Sequence, residues 1–404
     1  MVTTSSQTVV VSGYYGFRNI GDEAVLQSIL AALEEESKAA GIRLEPVVLS
    51  IDPEWTTRTY SVKAVHRMKF GEVRNAIKNS SGLISGGGSL LQDATGIKSI
   101  PYYLGVIKLA QWMRKPTFIY AQGVGPVNRG IFRPFIASVF RRCEYVSVRD
   151  VESAALLKAT GVPKNMIEVV PDPVMGLSLP GDTNSEAEAS LSDSSASPAS
   201  TGASVASGEA KNAAGANSAS QRELPVVGVS VRYWNPQRAE LMKLAEGLNA
   251  IMSRMPFHIR FLPFHYPGDE EASRFVMNML NPINEYDSEV SIAPQSETPL
   301  EMLEEVSRCD LLIGMRLHSL IYAASQNVPL LGISYDPKID HFLARLGSVP
   351  VGTSFDLDHR IVAAESERLL LDQEGWRTSH AAQLEALRRE AQLPAKRIVE
   401  YLRK

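Results

Sequence analysis

The chain has 404 residues, 44% of them hydrophobic and 21% charged, with a net charge of −4. That length accommodates two ordinary domains, and the balance is that of a soluble globular protein. The small acidic excess argues against a nucleic-acid partner, which calls for surplus Lys and Arg, and no apolar run of about 18 residues predicts a membrane span.

The N-terminus, MVTTSSQTVVVSG, lacks a basic stretch followed by an apolar one, so a cytoplasmic location is expected. The β-branched run from Thr8 to Ser12 predicts a first strand. It passes into Gly13-Tyr14-Tyr15-Gly16-Phe17-Arg18-Asn19-Ile20-Gly21-Asp22-Glu23, after which Val25, Ile29 and Leu33 recur at helical spacing. The spacing is not GxGxxG. Asp22 and Glu23 suit the positive end of a helix but would repel a pyrophosphate. Gly16, Asn19, Asp22 and Glu23 are therefore candidates for an acceptor-side element, and a structural turn with an N-cap accounts for the same residues.

Pro46–Ile51 and Leu83–Ser85 predict further strands, the latter ending in Gly86, Gly87 and Gly88. Three adjacent glycines expose backbone N–H groups and leave room for a ligand oxygen. Leu104–Met113 predicts a helix, and Thr117–Tyr120 a strand ending near Gln122. Phe132–Arg142 predicts a helix, and Tyr145–Val148 a strand ending at Arg149. Helix 152–159 and a strand through Val170 lead to Asp172-Pro173-Val174. Alternating strands and helices describe one Rossmann-like domain over 1–178. The Ser/Ala-rich stretch 179–223 has almost no large apolar residue and predicts a disordered linker.

A second Rossmann-like domain is expected over 224–375. Its strands are Pro225–Val231 and His258–Pro263, the latter followed by His265 and Asp269, with helices at Leu241–Met255, near 270–280 and at 299–307. The stretch Asp310–Lys338 then reads as strand, helix, strand. Arg316 and His318 sit where the first of these strands hands over to the helix, and Lys338 follows the second. Ligands bind at the carboxyl ends of parallel strands, and helix N-termini favour anions. An Arg, a His and a Lys on one rim predict a site for a small, multiply charged anion, with His318 donating or accepting a proton. A helix cap at His318 and an acid paired with Arg316 would explain two of them singly. A charged helix, 376–404, is expected to pack back on the N-terminal domain.

Cys143 and Cys309 are far apart without metal-ligand spacing, and His265 and His318 do not form a compact zinc motif. The mixed basic and apolar segments 110–115 and 129–142 can rest on an anionic membrane surface. Helices packed on their own sheet, with solvated basic flanks, explain the same residues.

Taken in order, GYYGFRNIGDEA, SGGGSLLQD, AQGVGP, SVRD, PDPV, LPFHYPGD, GMRLHSLIYA and YDPKI resemble the polysaccharide pyruvyltransferase family. The sequence is most similar to its CsaB-type enzymes of bacterial cell-wall polysaccharide. The resemblance implies an α/β, GT-B-like fold, two Rossmann-like domains facing across a cleft. It implies transfer of pyruvate from phosphoenolpyruvate to a sugar, as a 4,6-linked ketal. The acceptor implied is β-N-acetylmannosamine of a lipid-linked precursor, and the ketal is one that S-layer proteins recognise. It points to Arg149, Arg316, His318 and Lys338 as the donor site. Arginine forks and a lysine ammonium suit a carboxylate and a phosphate. His318, Arg149 and Arg316 are the expected catalytic residues. Gly16, Asn19, Asp22, Glu23, Gly86, Gly87, Gly88, Gln122, His265 and Asp269 line the expected acceptor side. No metal and no cofactor are required. Two other readings share the fold: a GT-B glycosyltransferase with a nucleotide-sugar donor, and a non-catalytic glycan- or anion-binding protein.

Overall fold

The computed structural model describes residues 6–93, 98–180, 224–281 and 288–404. The stretch expected to be a linker lies outside them from residue 181 to 223. The N-terminal half runs β1 (Ser6–Tyr15), α1 (Ile20–Ala39), β2 (Arg43–Ser50), α2 (Pro53–Tyr60), β3 (Lys63–His66), α3 (Phe70–Lys78) and β4 (Gly82–Gly86). It continues with α4 (Ser99–Trp112), β5 (Thr117–Gln122), α5 (Phe132–Phe140), β6 (Tyr145–Val148), α6 (Val151–Thr160) and β7 (Ile167–Val169), and ends in a 3₁₀ turn, Pro173–Gly176. Every pairing in this sheet is parallel, in the order β3-β2-β1-β4-β5-β6-β7. Helices cover both faces of such a sheet, which is why β4 and β5 are buried at every position.

The C-terminal half repeats the design. It runs β8 (Val226–Ser230), α7 (Ala239–Met252), β9 (His258–Phe261), α8 (Gly268–Met277), β10 (Glu289–Ile292), α9 (Pro299–Ser307) and β11 (Leu311–Gly314). Then come α10 (Leu317–Ser325), β12 (Leu330–Ser334), α11 (Pro337–Leu346), β13 (Gly352–Thr353), α12 (His359–Leu371) and α13 (Gln373–Leu402). The sheet order is β10-β9-β8-β11-β12-β13, again parallel. Both sheets are doubly wound. Their winding reverses between β1 and β4, and between β8 and β11. The crevice beyond the carboxyl ends of those strands is where such folds bind ligands.

One apolar cluster runs through both halves and includes Val174 and Met175 of the 3₁₀ turn and Leu177 just after it. Helix α13 leaves the C-terminal half and lies on the N-terminal sheet. Its Leu402 carbonyl accepts from Gln7 Nε2 at 2.9 Å, and the Tyr401 ring meets Phe118 edge-on at 5.3 Å. A second apolar cluster, around Ile100, Ile107, Ile136 and Phe140, fills the other face of the N-terminal sheet. On the outer surface of α4 and α5, Trp112, Ile131 and Phe135 are 73%, 68% and 59% exposed. No helix among the described residues is long and apolar enough to cross a membrane.

Candidate active site

The site forms where the two halves meet, and helix N-termini build it. Arg149 follows β6 and precedes α6, whose N-cap Asp150 accepts from Ser153 N at 2.7 Å. The Arg149 guanidinium is buried. Its NH2 donates to Ser89 Oγ at 2.8 Å and its NH1 to Asp172 Oδ2 at 3.3 Å. Lys338 comes from the other half, in the first turn of α11, where Asp336 Oδ1 accepts from its backbone N–H at 3.0 Å. Lys338 Nζ donates to the same Ser89 Oγ at 3.3 Å. Two cations from two domains thus share one hydroxyl. Burial holds the Lys338 ammonium below its ordinary value, and the Arg149 charge adds to this, against Asp336 and Asp150.

His318 lies in the first turn of α10, after the β11 strand. Its ring is partly buried. Nε2 stands 3.9 Å from Asp172 Oδ2, too far for a hydrogen bond, and has no partner among the described residues. Burial pushes the imidazole pKa down. Asp172 opposes this, while Arg149, Arg316 and Lys338 all reinforce it. His318 is therefore held neutral near pH 7. Its Nδ1 side rests on Gly21 of α1, where a Cβ would overlap the ring.

Asp22 adds the opposite behaviour. Burial raises its carboxyl to about 7 against the pull of Arg149, with Glu23 and Asp172 adding to the rise. It sits under the glycine loop, where a Cβ at Gly88 would come within 2.6 Å of Asp22 Oδ1. Gly87 and Gly88 have φ of +72° and +64°, conformations that glycine adopts without strain, and a side chain at Gly87 would strike Val25. Gly86 O accepts from Tyr15 OH at 2.8 Å, so this glycine closes β4 against the β1 end.

Several expected residues have other engagements. Arg316 forms a two-pronged pair with the buried Asp269: Nε donates to Oδ2 at 2.9 Å and NH2 to Oδ1. Asp269 Oδ2 also accepts from His265 N at 2.9 Å. Both carboxylate oxygens are occupied, so the geometry of Asp269 is that of an anchor for Arg316, whose NH1 takes no part in the pair. His265 itself is exposed at the edge of a pocket that it shares with Asn19, Gly21, Arg316, His318 and Tyr335. Asn19 caps α1, accepting from Gly21 N at 3.1 Å. Glu23 is buried and turned into its own loop, its Oε1 accepting from Gly16 N at 2.8 Å and Arg18 N at 3.2 Å, its Oε2 from Tyr60 OH at 2.9 Å. Gly16, at φ +81°, packs against Ser50 and Asp52. Gln122 is the last residue of β5, fully buried, with Oε1 accepting from Ser85 Oγ at 3.3 Å. The structure thus gathers Arg149, His318, Lys338, Asp22 and the glycine loop, and sets Glu23, Gly16 and Gln122 behind them.

Ser89, Asp172, Gly123 and Gly21 were not among the expected site residues. Ser89 joins the cations, and Asp172 stands between Arg149 and His318. A Cβ at Gly123 would lie 2.9 Å from Ser89 Oγ and 3.0 Å from Arg149 Nε. Each follows a strand end in SGGGS, PDP and AQGVG or opens a helix in NIGDE, which is the signal that marks them. Among the described residues no group of three or more His, Cys, Asp or Glu side chains is placed to hold a metal ion.

A family model described as polysaccharide pyruvyl transferase matches residues 19–337. A search of curated proteins finds no match. Among solved structures, a glycosyltransferase from Rickettsia africae is similar with a TM-score of 0.58 at 10% identity, covering 98% of this chain and 99% of its own. HepE from Anabaena, in complex with UDP and glucose, gives 0.55 at 10% identity with coverage of 98% and 99%. UDP-GlcNAc 2-epimerase from Neisseria meningitidis, bound to UDP-GlcNAc, gives 0.55 at 11% with the same coverage. At these identities the likeness shows the fold alone, an α/β, GT-B-like pair of Rossmann-like domains. The family match runs from the N-cap of α1 to the first residue of α11, most of the chain, and on it the chain belongs to the polysaccharide pyruvyl transferase family.

Proposed function

We propose that the protein transfers the pyruvyl group of phosphoenolpyruvate to two hydroxyls of a saccharide, forming a cyclic ketal and releasing phosphate. The observation that carries this reading is the meeting of Arg149 and Lys338 on Ser89 beside a neutral His318. A buried guanidinium, a half-buried ammonium and the N-termini of α10 and α11 suit a small ligand with both a phosphate and a carboxylate. Asp22, half protonated near pH 7, gives its proton to the methylene carbon of the donor. Positive charge then develops at C2. A sugar hydroxyl attacks C2 and yields its proton to His318, which passes it to the departing phosphate; the second hydroxyl then attacks the C2 cation and closes the ring, its proton restoring the Asp22 carboxyl. Cationic side chains hold the departing phosphate. The acceptor in this reading is a β-N-acetylmannosamine unit on a lipid carrier, with its O4 and O6 taking the ketal.

The test is phosphate release from phosphoenolpyruvate with and without such an acceptor, followed by mass spectrometry of the sugar. Acceptor-dependent release with one pyruvyl ketal added is expected. Neither binding nor release would shift the reading to a nucleotide-sugar donor.

A lipid-carried acceptor requires the cleft to work beside a membrane, and we place that contact on α4 and α5. From residue 94 to 143 the sequence has no acidic residue, while Lys98, Lys108, Arg114, Lys115, Arg129, Arg133, Arg141 and Arg142 are basic. In a chain of net charge −4 this is a local excess of cations, in the same stretch of sequence as the exposed Trp112, Ile131 and Phe135. Arginine with exposed aromatic and aliphatic side chains suits an anionic lipid surface.

A further inference from the structure

The loop between β1 and α1 is held more firmly than a connection requires. Glu23 is buried beneath it and accepts from two of its backbone N–H groups. Arg67, also buried, donates from NH1 to Gly13 O at 2.9 Å and from NH2 to Tyr103 OH at 3.1 Å. Gly16 and Arg18 both take left-handed backbone angles, φ +81° and +58°, and for Arg18 that conformation persists only because its surroundings enforce it. The end of β1 and this loop present one aromatic side chain each, Tyr14 and Phe17. The Tyr14 and Phe17 rings are parallel within 3° with centroids 3.9 Å apart, and they remain 38% and 40% exposed. The Arg67 guanidinium lies 5.4 Å from the Phe17 ring and fixes it in place. Two and four residues beyond Phe17, Asn19 and Gly21 line the same pocket as His318. The stacked pair is thus carried by the same β1–α1 connection whose far end lines that pocket.

We propose that Tyr14 and Phe17 form a stacking platform for a pyranose ring of the saccharide acceptor. An aromatic pair that is solvent-exposed yet immobile contributes little to folding. It can cover the apolar C–H face of a sugar while the hydroxyls stay in water, and it loses little side-chain freedom on doing so. The saccharide class rests on the pyruvyl-transfer reading; the platform itself is tested without turnover.

Saturation-transfer NMR on the full chain, with a panel of methyl hexosides and N-acetylhexosaminides, is the direct measurement. Transfer to the ring C–H protons of a panel member is expected, weakened about tenfold or more in Tyr14→Ala and in Phe17→Ala and restored in Tyr14→Trp. Phosphoenolpyruvate binding and thermal midpoint should stay as in the parent. Equal saccharide binding by parent and alanine variants, or no binding of any panel member by the parent, would overturn the platform. Binding through these rings by a parent that releases no phosphate from phosphoenolpyruvate would leave the platform standing and remove the pyruvyl-transfer reading instead.

Discussion

At the scale of single residues, the site divides its proton chemistry by environment. Burial pushes His318 down and Asp22 up to about 7, so one accepts and the other donates near neutral pH. His318→Asn should cut phosphate release roughly 10²- to 10⁴-fold, the range for a general acid–base group, with the thermal midpoint little changed. Near-normal turnover would remove His318 from the reaction. Asp22 must hold its proton to act, and above its pKa the protonated fraction falls about tenfold per pH unit. The rate should therefore decline on the alkaline side of about pH 7, and Asp22→Asn should lose both most of the rate and that decline. Lys338→Ala should raise the KM for phosphoenolpyruvate roughly 10- to 100-fold, since a hydrogen bond to a charged group contributes about 1.5–3 kcal/mol. An unchanged donor KM would place the phosphate elsewhere.

At the scale of elements, the β1–α1 loop carries its own titration. Glu23 is almost wholly enclosed, and burial raises its carboxyl from an ordinary value of 4.5 to about 7 against the hydrogen bonds it accepts. Between those values the folded chain keeps a proton that the unfolded chain releases. The group therefore costs stability progressively as pH rises from about 4 to 7, and the full cost, up to about 3 kcal/mol, stands above that range. Glu23→Gln keeps the shape and removes the charge. Its advantage in thermal midpoint over the parent should grow from pH 5 to pH 8; a constant difference would mean that Glu23 is not the titrating group. Which elements could be read from the chain follows from burial. Interior strands such as β1, β4 and β11 are continuous apolar runs and declare themselves. The edge strands β3, KAVH, and β10, EVSI, are short, with no fully buried position, and escaped notice. So did α2, α3, α11 and α12, although Asp52, Asp336 and Asp358 cap three of them and Pro53 and Pro337 open two. The same limit applies at the site. Arg149, His318 and Lys338 were legible because each sits at a strand's carboxyl end. The engagement of Arg316 with Asp269, 47 residues apart, was not, because nothing local couples the two. Ser89 gained meaning only when two domains aimed cations at it.

At the scale of the whole molecule, the switch points of both sheets face one cleft, and the membrane contact proposed for α4 and α5 can be tested apart from it. Vesicles containing phosphatidylglycerol should co-sediment with the protein, and pure phosphatidylcholine vesicles should not. A variant carrying Ile131→Ser, Phe135→Ser and Arg133→Ser should lose at least about tenfold in vesicle binding, while its turnover of a short, water-soluble acceptor stays at the parent level. Equal binding to neutral and anionic vesicles would take the contact off this face. The path of α13 bears on something else. Because this helix belongs by sequence to the second half and by packing to the first, covalent continuity through residues 181–223 is not what keeps the halves together. Val174, Met175 and Leu177 on one side, and Ala391, Ala395 and Ile398 on the other, already form one apolar cluster. Residues 1–180 and 224–404, expressed as separate polypeptides, should therefore find each other and reconstitute the cleft. A second fragment ending before α13 should lose this complementation, which makes the C-terminal helix the handle by which a split form of the protein can be switched on.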